Sequence, residues 1–420
     1  MFQIPRGTRD FTPEEMQKRG YIEVKIRATF QKFGYKEVQT PTFETLELFT
    51  AKSGEAIIDE LYSFKDKGGR DLALRPELTA PVIRFYVDKL QMEPKPLKLF
   101  YFGNCYRYDR PQKGRYREFM QAGCELIGTD TPEAIAELIA LAYTILKNVG
   151  LNDLKLNIGN LNILSSIFNT LNISKEQQKK ITPLIDKSQF NDVLSSLLDF
   201  GVSEIDAKNF LEILQLSDSK TILQLIQKDV QAKAEMMKLI EILELLKNVF
   251  YIKTCEIKMS IVRGLDYYKG VVFEIDAPAL GAEKQLCGGG AYELISIFGG
   301  KETPTSGFAI GFDRTILALD EEKYDFPVNK LDVFVIPVGQ ELLVKSLEIT
   351  ESLRKQGLSV DMDLLRRGIS KSLKYASSIK VGKIIIVGQD ELDNDSVSVR
   401  NMETGKQELV KINELYQKLR

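Results

Sequence analysis

The 420-residue chain contains no histidine. That absence removes whole mechanisms: a Ser-His-Asp triad, a histidine general base and any histidine-ligated metal. Chemistry has to run on carboxylates, arginines, tyrosines and a bound ion. Cysteine is scarce as well. Cys105, Cys124, Cys255 and Cys287 stand far apart and form no Cys-x-x-Cys pair, which argues against a structural zinc site. They read as reduced thiols used as small buried apolar residues. No apolar run approaches the length of a membrane span, and the first residues carry nothing like a signal peptide. The expected location is therefore cytoplasmic, with no membrane partner. Excess charge is missing too. The formal net charge is −2, so contact with nucleic acid depends on local patches rather than global attraction. No internal repeat or low-complexity tract is present. Phosphoryl and adenylyl transfer suit such a chain, because positioning and charge stabilisation carry most of that work.

What is there is concentrated in residues 105–125. Arg107, Arg110, Lys113, Arg115 and Arg117 crowd around Pro111-Gln112-Lys113-Gly114. Polar and aromatic groups alternate through Phe119, Gln121 and Glu125, which predicts a strand whose successive side chains face opposite ways. Arg107 and Arg117 then flank a basic loop between two antiparallel strands. Arginine clamps phosphate oxygens with a two-pronged fork. The hairpin suits a polyphosphate, with Gln121 and Glu125 behind it for a smaller group. A solvated cationic hairpin is the plain alternative.

At 44% hydrophobic and 28% charged residues, the composition is that of a globular protein, and the length allows two or three domains. The pattern predicts a helix over 13–33, strands over 35–40 and 71–76, and a helix over 76–90. Strands over 97–103 and 105–125 follow, then a helix over 132–148 opened by Pro132. A strand over 153–159 precedes a block from about 161 to 250 with helical spacing throughout, read as an insertion. Strands resume over 251–278 and 284–300, and 307–319 reads as strand into helix. Residues 320–330 are polar and carry a proline, as a linker does. Beyond it, strands over 333–338, 358–362 and 383–387 alternate with helices over 340–356 and 368–378, the βαβαβ order of a compact α/β domain. Residues 364–389 hold Arg366, Arg367, Lys371, Lys374, Lys380 and Lys383 with no acidic residue. Contact with a phosphate backbone and an ordinary solvated helix both fit that stretch.

Other stretches carry a resemblance. They are Leu74-Arg75-Pro76-Glu77-Leu78-Thr79-Ala80, Arg263-Gly264-Leu265-Asp266-Tyr267-Tyr268-Lys269-Gly270, Cys287-Gly288-Gly289-Gly290-Ala291-Tyr292 and Gly307-Phe308-Ala309-Ile310-Gly311-Phe312-Asp313-Arg314. With the basic hairpin they resemble histidyl-tRNA synthetases, a family of class II aminoacyl-tRNA synthetases, along nearly the whole chain. The resemblance implies an α+β fold. Residues 1–325 would form the class II antiparallel catalytic sheet flanked by helices, interrupted by the helical insertion. Residues 331–420 would form an α/β anticodon-binding domain. The implied reaction is ATP-dependent activation of histidine to histidyl-adenylate and transfer to the 3′ end of histidine tRNA. ATP would be a substrate, Mg2+ its companion, and the enzyme a homodimer formed through the helix–strand–proline arrangement of residues 13–41.

The resemblance also assigns roles. Arg107 and Arg263 would stabilise charge on the α-phosphate, with Arg263 also touching histidine. Arg115 and Arg314 would hold the γ-phosphate end, and Phe119 and Arg314 would sandwich adenine. Glu77, Thr79 and Gln121 would hold the α-amino group; Glu125, Tyr268 and Tyr292 would surround the ring. Neutral imidazole has one donor and one acceptor, which a carboxylate and a phenol can meet together. Arg110 and Gln112 would touch the acceptor end of tRNA, and Arg366, Arg367, Lys371 and Lys374 its anticodon arm. The insertion would contact the acceptor arm or serve as a packing appendage. No metal ligand is identifiable. The chain departs from the family pattern at Ala291, where arginine is common, and at Met120, Leu78 and Asp109. The rival reading is a regulatory subunit of ATP phosphoribosyltransferase in histidine biosynthesis, which keeps the fold but lacks an anticodon domain and some motif residues. Class II synthetases for glycine, threonine or proline are a further rival, and the 263–268 stretch argues against them.

Overall fold

The computed structural model describes residues 2–420 apart from 54, 111–113, 263–267 and 328–329. The chain divides into two compact units, residues 1–326 and 327–420. The first unit contains strands β1 (Lys36–Glu37), β2 (Phe43–Thr45), β3 (Ser63–Lys65), β4 (Asp71–Leu74), β5 (Leu97–Tyr106), β6 (Glu118–Ile127), β7 (Lys155–Asn160), β8 (Cys255–Ile257), β9 (Tyr268–Asp276), β10 (Gln285–Tyr292) and β11 (Thr305–Gly311). Among the described residues, eight of them form one sheet in the order β1-β5-β6-β11-β10-β9-β7-β8. Its interior is antiparallel, and β1 and β8 add in parallel at the two edges. Strands β2, β4 and β3 make a small separate sheet.

Helix α1 (Pro13–Lys32) begins where Thr12 and Glu15 cap each other reciprocally and Pro13 occupies the first turn. Helix α2 spans Leu46–Ser53, and α3 (Thr79–Phe85) widens into a π turn over Tyr86–Leu90. Helix α4 (Pro132–Val149) starts under a Thr131 side-chain cap and stops at Gly150, whose φ of 121° few other residues adopt. α1 buries Ile22, Ile26 and Phe30 along one stripe, and α4 buries Leu138, Ala142, Ile145 and Val149. Both stripes join one core with the even-numbered residues Phe100 of β5, Cys124 of β6, and Phe308 and Ile310 of β11. The side-chain period of two turns the odd-numbered residues of these strands to the opposite face. Tyr101, Gly123, Glu125 and Gly307 stand there.

Between β7 and β8 the chain is helical: α5 (Leu161–Thr170), α6 (Lys175–Asp186), α7 (Phe190–Asp199), α8 (Glu204–Gln215), α9 (Ser219–Leu225) and α10 (Val230–Asn248). Asn160, Ser174, Ser203, Asp218 and Asp229 cap the starts of α5, α6, α8, α9 and α10. Helix α11 (Phe312–Glu321) follows β11 directly.

In the second unit, β12 (Val333–Pro337), β13 (Val360–Met362) and β14 (Lys383–Val387) run parallel. β15 (Ser396–Asn401) and β16 (Gln407–Lys411) extend the sheet antiparallel. Helices α12 (Leu343–Lys355), α13 (Ile369–Ser378), α14 (Gln389–Leu392) and α15 (Leu415–Leu419) accompany them. Val333 and Val335 join the core that contains Ile349 and Leu353, while Phe334 and Ile336 join the core that contains Ala376. A central strand buried on both faces reads as a continuous apolar run.

Several boundaries differ from the sequence pattern. The helix expected from Pro76 begins at Thr79, because the Glu77 carboxylate folds back onto the backbone N–H groups of Thr79 and Ala80. The hairpin expected within 105–125 is present, but its first strand is continuous with the one expected over 97–103 and ends at Tyr106, and the strands expected over 251–278 and 284–300 shorten to β8, β9 and β10. β15 and β16 were not anticipated: β15 alternates serine with valine and β16 is mostly exposed, so neither carries a strong apolar pattern.

Phe30 has no solvent exposure and stacks on Phe100 at 4.8 Å, with Phe308 at 5.9 Å. Phe30→Ala is expected to cost about 3–5 kcal/mol of stability, since the helix and sheet cannot close the void. Chemical denaturation checks this, and a loss below about 1 kcal/mol would remove the stack as the helix-to-sheet anchor.

Candidate active site

The sheet face turned away from α1 and α4 holds a cavity of about 530 Å³. Small residues create the space: Gly288, Gly307, Ala309 and Gly311 line it. A Cβ at Gly307 would fall on Glu125 Oε2, so glycine is required for that close approach. Glu77, Thr79, Arg107, Arg115, Phe119, Gln121, Tyr268, Tyr292 and Arg314 also line the cavity. Most residues singled out in the sequence therefore converge. Arg263 and Gln112 lie outside the described residues.

One end of the cavity is organised around Glu125, which is fully buried. Tyr101 donates to its Oε1 at 2.8 Å, and Tyr292 donates to its Oε2. Burial pushes the carboxyl up to about 8, against which the donated bonds of Tyr292, Tyr101 and Thr79 work. Tyr101 OH also lies 3.3 Å from Thr79 Oγ1. Thr79 N donates to Glu77 Oε2 at 2.6 Å, and Ala80 N to Glu77 Oε1 at 3.0 Å. Glu77 thus caps α3 while facing the cavity. Gln121 accepts from Cys105 Sγ at 3.3 Å, and Tyr268 meets Tyr292 edge to face at 6.3 Å. Glu125 does not itself line the cavity; both its oxygens are taken by phenols, of which Tyr292 is a lining residue. Tyr101 was missed in the sequence. Only strand register reveals it, because Leu99 pairs with Glu125 and Tyr101 is then its diagonal neighbour on the same face.

The other end is cationic. Arg107 Nε donates to Pro76 O at 2.9 Å, and its guanidinium lies 5.3 Å from the Phe119 ring centre. Phe119 and Arg314, expected to sandwich adenine, both line the cavity. Arg314 donates to Gly114 O, to Gln285 O and to Glu283 Oε2, the last at 2.8 Å. Arg115 Nε reaches the same Glu283 oxygen at 3.2 Å.

Beside Arg314, the buried Asp313 ties three segments together. Its Oδ1 accepts from Arg9 Nη2 and Arg19 Nη1, both at 2.7 Å, and its Oδ2 accepts from Met120 N at 2.8 Å. Arg9 also lies over the Tyr116 ring at 3.3 Å, and Gly7 O accepts from Arg117 N. The segment around residues 7–9 therefore braces the basic hairpin from outside. No spacing in the sequence could have signalled it.

Arg110 is exposed on the hairpin loop. In the second unit Arg366, Lys371 and Lys374 are exposed, whereas Arg367 is engaged: it donates to Asp363 Oδ1 at 2.8 Å and lies 4.2 Å over the Tyr375 ring. Lys383, in the same cationic stretch, donates to the carbonyls of Lys418 and Leu419. Cys105, Cys124 and Cys287 are buried, Cys255 is half-buried, and all four are free thiols. Burial pushes Cys105 and Cys255 up to about 12, so they are unreactive. Among the described residues, no group of three or more cysteine, aspartate or glutamate side chains could hold a metal ion.

The family model described as histidyl-tRNA synthetase matches residues 7–315. The chain belongs to the histidyl-tRNA synthetase family. A second model, described as an anticodon binding domain, matches residues 332–420. The synthetase is 46% identical to the histidine–tRNA ligase of Methanocaldococcus jannaschii, covering 99% of both chains. It is 44% identical to that of Archaeoglobus fulgidus, covering 98% of both. The crystal structure of apo S. aureus histidyl-tRNA synthetase matches over 100% of both chains with a TM-score of 0.77 at 32% identity. A Bacillus halodurans structure described as an ATP phosphoribosyltransferase regulatory subunit/histidyl-tRNA synthetase also shares the fold. Its TM-score is 0.78 at 26% identity, covering 90% of this chain and 96% of that one. Fold alone does not separate the two readings. The full-length ligase relatives and the anticodon-binding domain do, and they disfavour the regulatory one.

Tyr101→Phe removes one donor from a buried carboxyl while keeping the ring. Histidine binding is expected to weaken about tenfold, with ATP binding nearly unchanged, in titrations of each ligand. The raised Glu125 carboxyl also has a pH consequence. The folded state holds this proton more tightly than the unfolded chain, whose value lies near 4.5. The stabilisation is complete below that pH and is lost as pH rises through about 8. Unfolding free energies of the wild type and Glu125→Gln, compared across this range, should diverge with pH; a constant difference would contradict the assignment.

Proposed function

We propose that this cavity joins histidine to ATP, with the amino acid at the Glu125 end and the triphosphate at the arginine end. The overall reaction is that of the family: histidine is activated by ATP and transferred to histidine tRNA, and the enzyme is an aminoacyl-tRNA synthetase. One observation carries the site assignment. A sealed carboxyl with two phenols and a cluster of three arginines line or adjoin the same cavity, so both reactants can be held at once.

In this reading Glu77, Thr79 and Gln121 receive the α-amino group, Tyr268 and Tyr292 meet the imidazole, and Glu125 acts on the ring through the Tyr292 hydroxyl, which donates to it and is left to accept from an imidazole N–H. Phe119 supplies a flat face for adenine. Attack on the α-phosphate builds negative charge there, and fixed guanidinium groups lower that barrier without needing to reorganise. Arg107, steered by its bond to Pro76 O, takes this role together with Arg263. Arg115 and Arg314 grip the far end of the triphosphate. Mg2+ would arrive with the nucleotide, since it prefers phosphate oxygens, water and at most one or two carboxylates, and no acidic trio competes for it among the described residues. Arg110 and Gln112 would meet the acceptor end of tRNA, and Arg366, Lys371 and Lys374 its anticodon arm. Arg367 would act by shaping that surface. The working form is a homodimer in the cytoplasm. No helix of the described residues is long and apolar enough to cross a membrane.

Pyrophosphate exchange with each amino acid, followed by charging of histidine tRNA, tests the reading. Exchange should depend on histidine. Arg107→Ala is expected to lower exchange about 100- to 1,000-fold while histidine affinity stays near wild type. Exchange supported by another amino acid, or undiminished in Arg107→Ala, would overturn the assignment.

A further inference from the structure

Glu283 ends the short 3-10 turn Pro278–Glu283 between β9 and β10. A single oxygen of its carboxylate accepts from Arg314 Nη2 at 2.8 Å and from Arg115 Nε at 3.2 Å. Arg314 is further fixed by Gly114 O and Gln285 O, so its guanidinium is held in place independently of the carboxylate. Burial lowers the pKa of Arg314, Glu283 opposes that change, and the charges of Arg115 and Arg107 add to it. The three arginines therefore share one field, and Glu283 is the anion within it. The turn that carries Glu283 contains Gly281 at φ 61° with open space around its Cβ position, which gives the segment room to shift.

We propose that Glu283 is a built-in stand-in for the terminal phosphate of ATP. It holds the Arg115–Arg314 seat in the empty enzyme and is displaced when a triphosphate arrives. The inference rests on reading Arg115 and Arg314 as the triphosphate grip. A carboxylate offers one unit of charge, whereas a γ-phosphate brings more charge and three acceptor oxygens, so the nucleotide wins the exchange. It wins by a difference rather than by the full attraction, and Glu283 thereby sets ATP affinity. The contact also discriminates. AMP cannot reach the seat and leaves Glu283 in place, so only ligands with a terminal phosphate meet this competition.

The test compares binding of ATP, AMP and inorganic tripolyphosphate to the wild type and Glu283→Gln by calorimetry, with exchange kinetics alongside. Glu283→Gln should bind ATP and tripolyphosphate about fivefold more tightly, since a partly exposed ion pair no longer competes. AMP binding should stay constant, and the KM for ATP should fall in step with its dissociation constant. Weaker or unchanged ATP binding in Glu283→Gln would overturn the proposal, because Glu283 would then position the arginines or hold a cation. Should that variant misfold, Glu283→Asp, too short to bridge both arginines, must show the same direction of change. Arg115→Ala separates the underlying assignment. If it leaves tripolyphosphate binding intact, the seat itself is misplaced, whatever Glu283→Gln does.

Discussion

Glu125 is a carboxyl group cut off from water, and the pocket is built around that condition. Both its oxygens accept from phenols, since a buried acceptor left without a donor is costly. One phenol, Tyr101, lies against Thr79 in the first turn of α3, and the start of α3 is capped by Glu77. A single chain of hydrogen bonds thus runs from the group proposed to face the imidazole to the group proposed to face the amino end. Gly307 is part of the same arrangement, because any side chain there would occupy the volume that the carboxylate needs. The opposite face of the sheet makes this possible. There Phe30, Phe100 and Phe308 lock α1 against the strands, so the glycine-rich face can remain open without collapsing.

The cationic end follows a different rule. Arginines outnumber their carboxylates: Asp313 serves both Arg9 and Arg19, and Glu283 serves both Arg115 and Arg314. Sharing one anion between two cations fixes the geometry of each while leaving net positive charge. In a partly desolvated cleft such charge is felt strongly by a phosphate. A chain with a formal charge of −2 can therefore present a positive site without being basic overall.

Much of this was legible in the residues themselves. The hairpin of 105–125 could be drawn from alternation, and the helical block after β7 from its spacing. The Gly288-Gly289-Gly290 run is of the kind that permits close backbone approach. What escaped were features that exist only through register or distance in sequence. Tyr101 becomes a pocket residue only when β5 and β6 pair as they do. Nothing in the chain around Asp313 and Glu283 tells which distant arginines they serve. Arg367 looked like an RNA-facing cation, but Asp363 and Tyr375 engage it within its own domain. Strand β16 escaped for a related reason, since a mostly exposed edge strand shows little apolar pattern.

The contact between Arg9 and Asp313 spans 304 positions of chain. During synthesis the segment that braces the hairpin leaves the ribosome near the beginning, yet its partner is among the last parts of the catalytic unit to appear. Arg9 can meet Tyr116 once the hairpin emerges, but its ion pair must wait for the whole helical block to follow. The arginine end of the cavity is consequently finished late, and a nascent chain that has already folded its helices is still not a ligase.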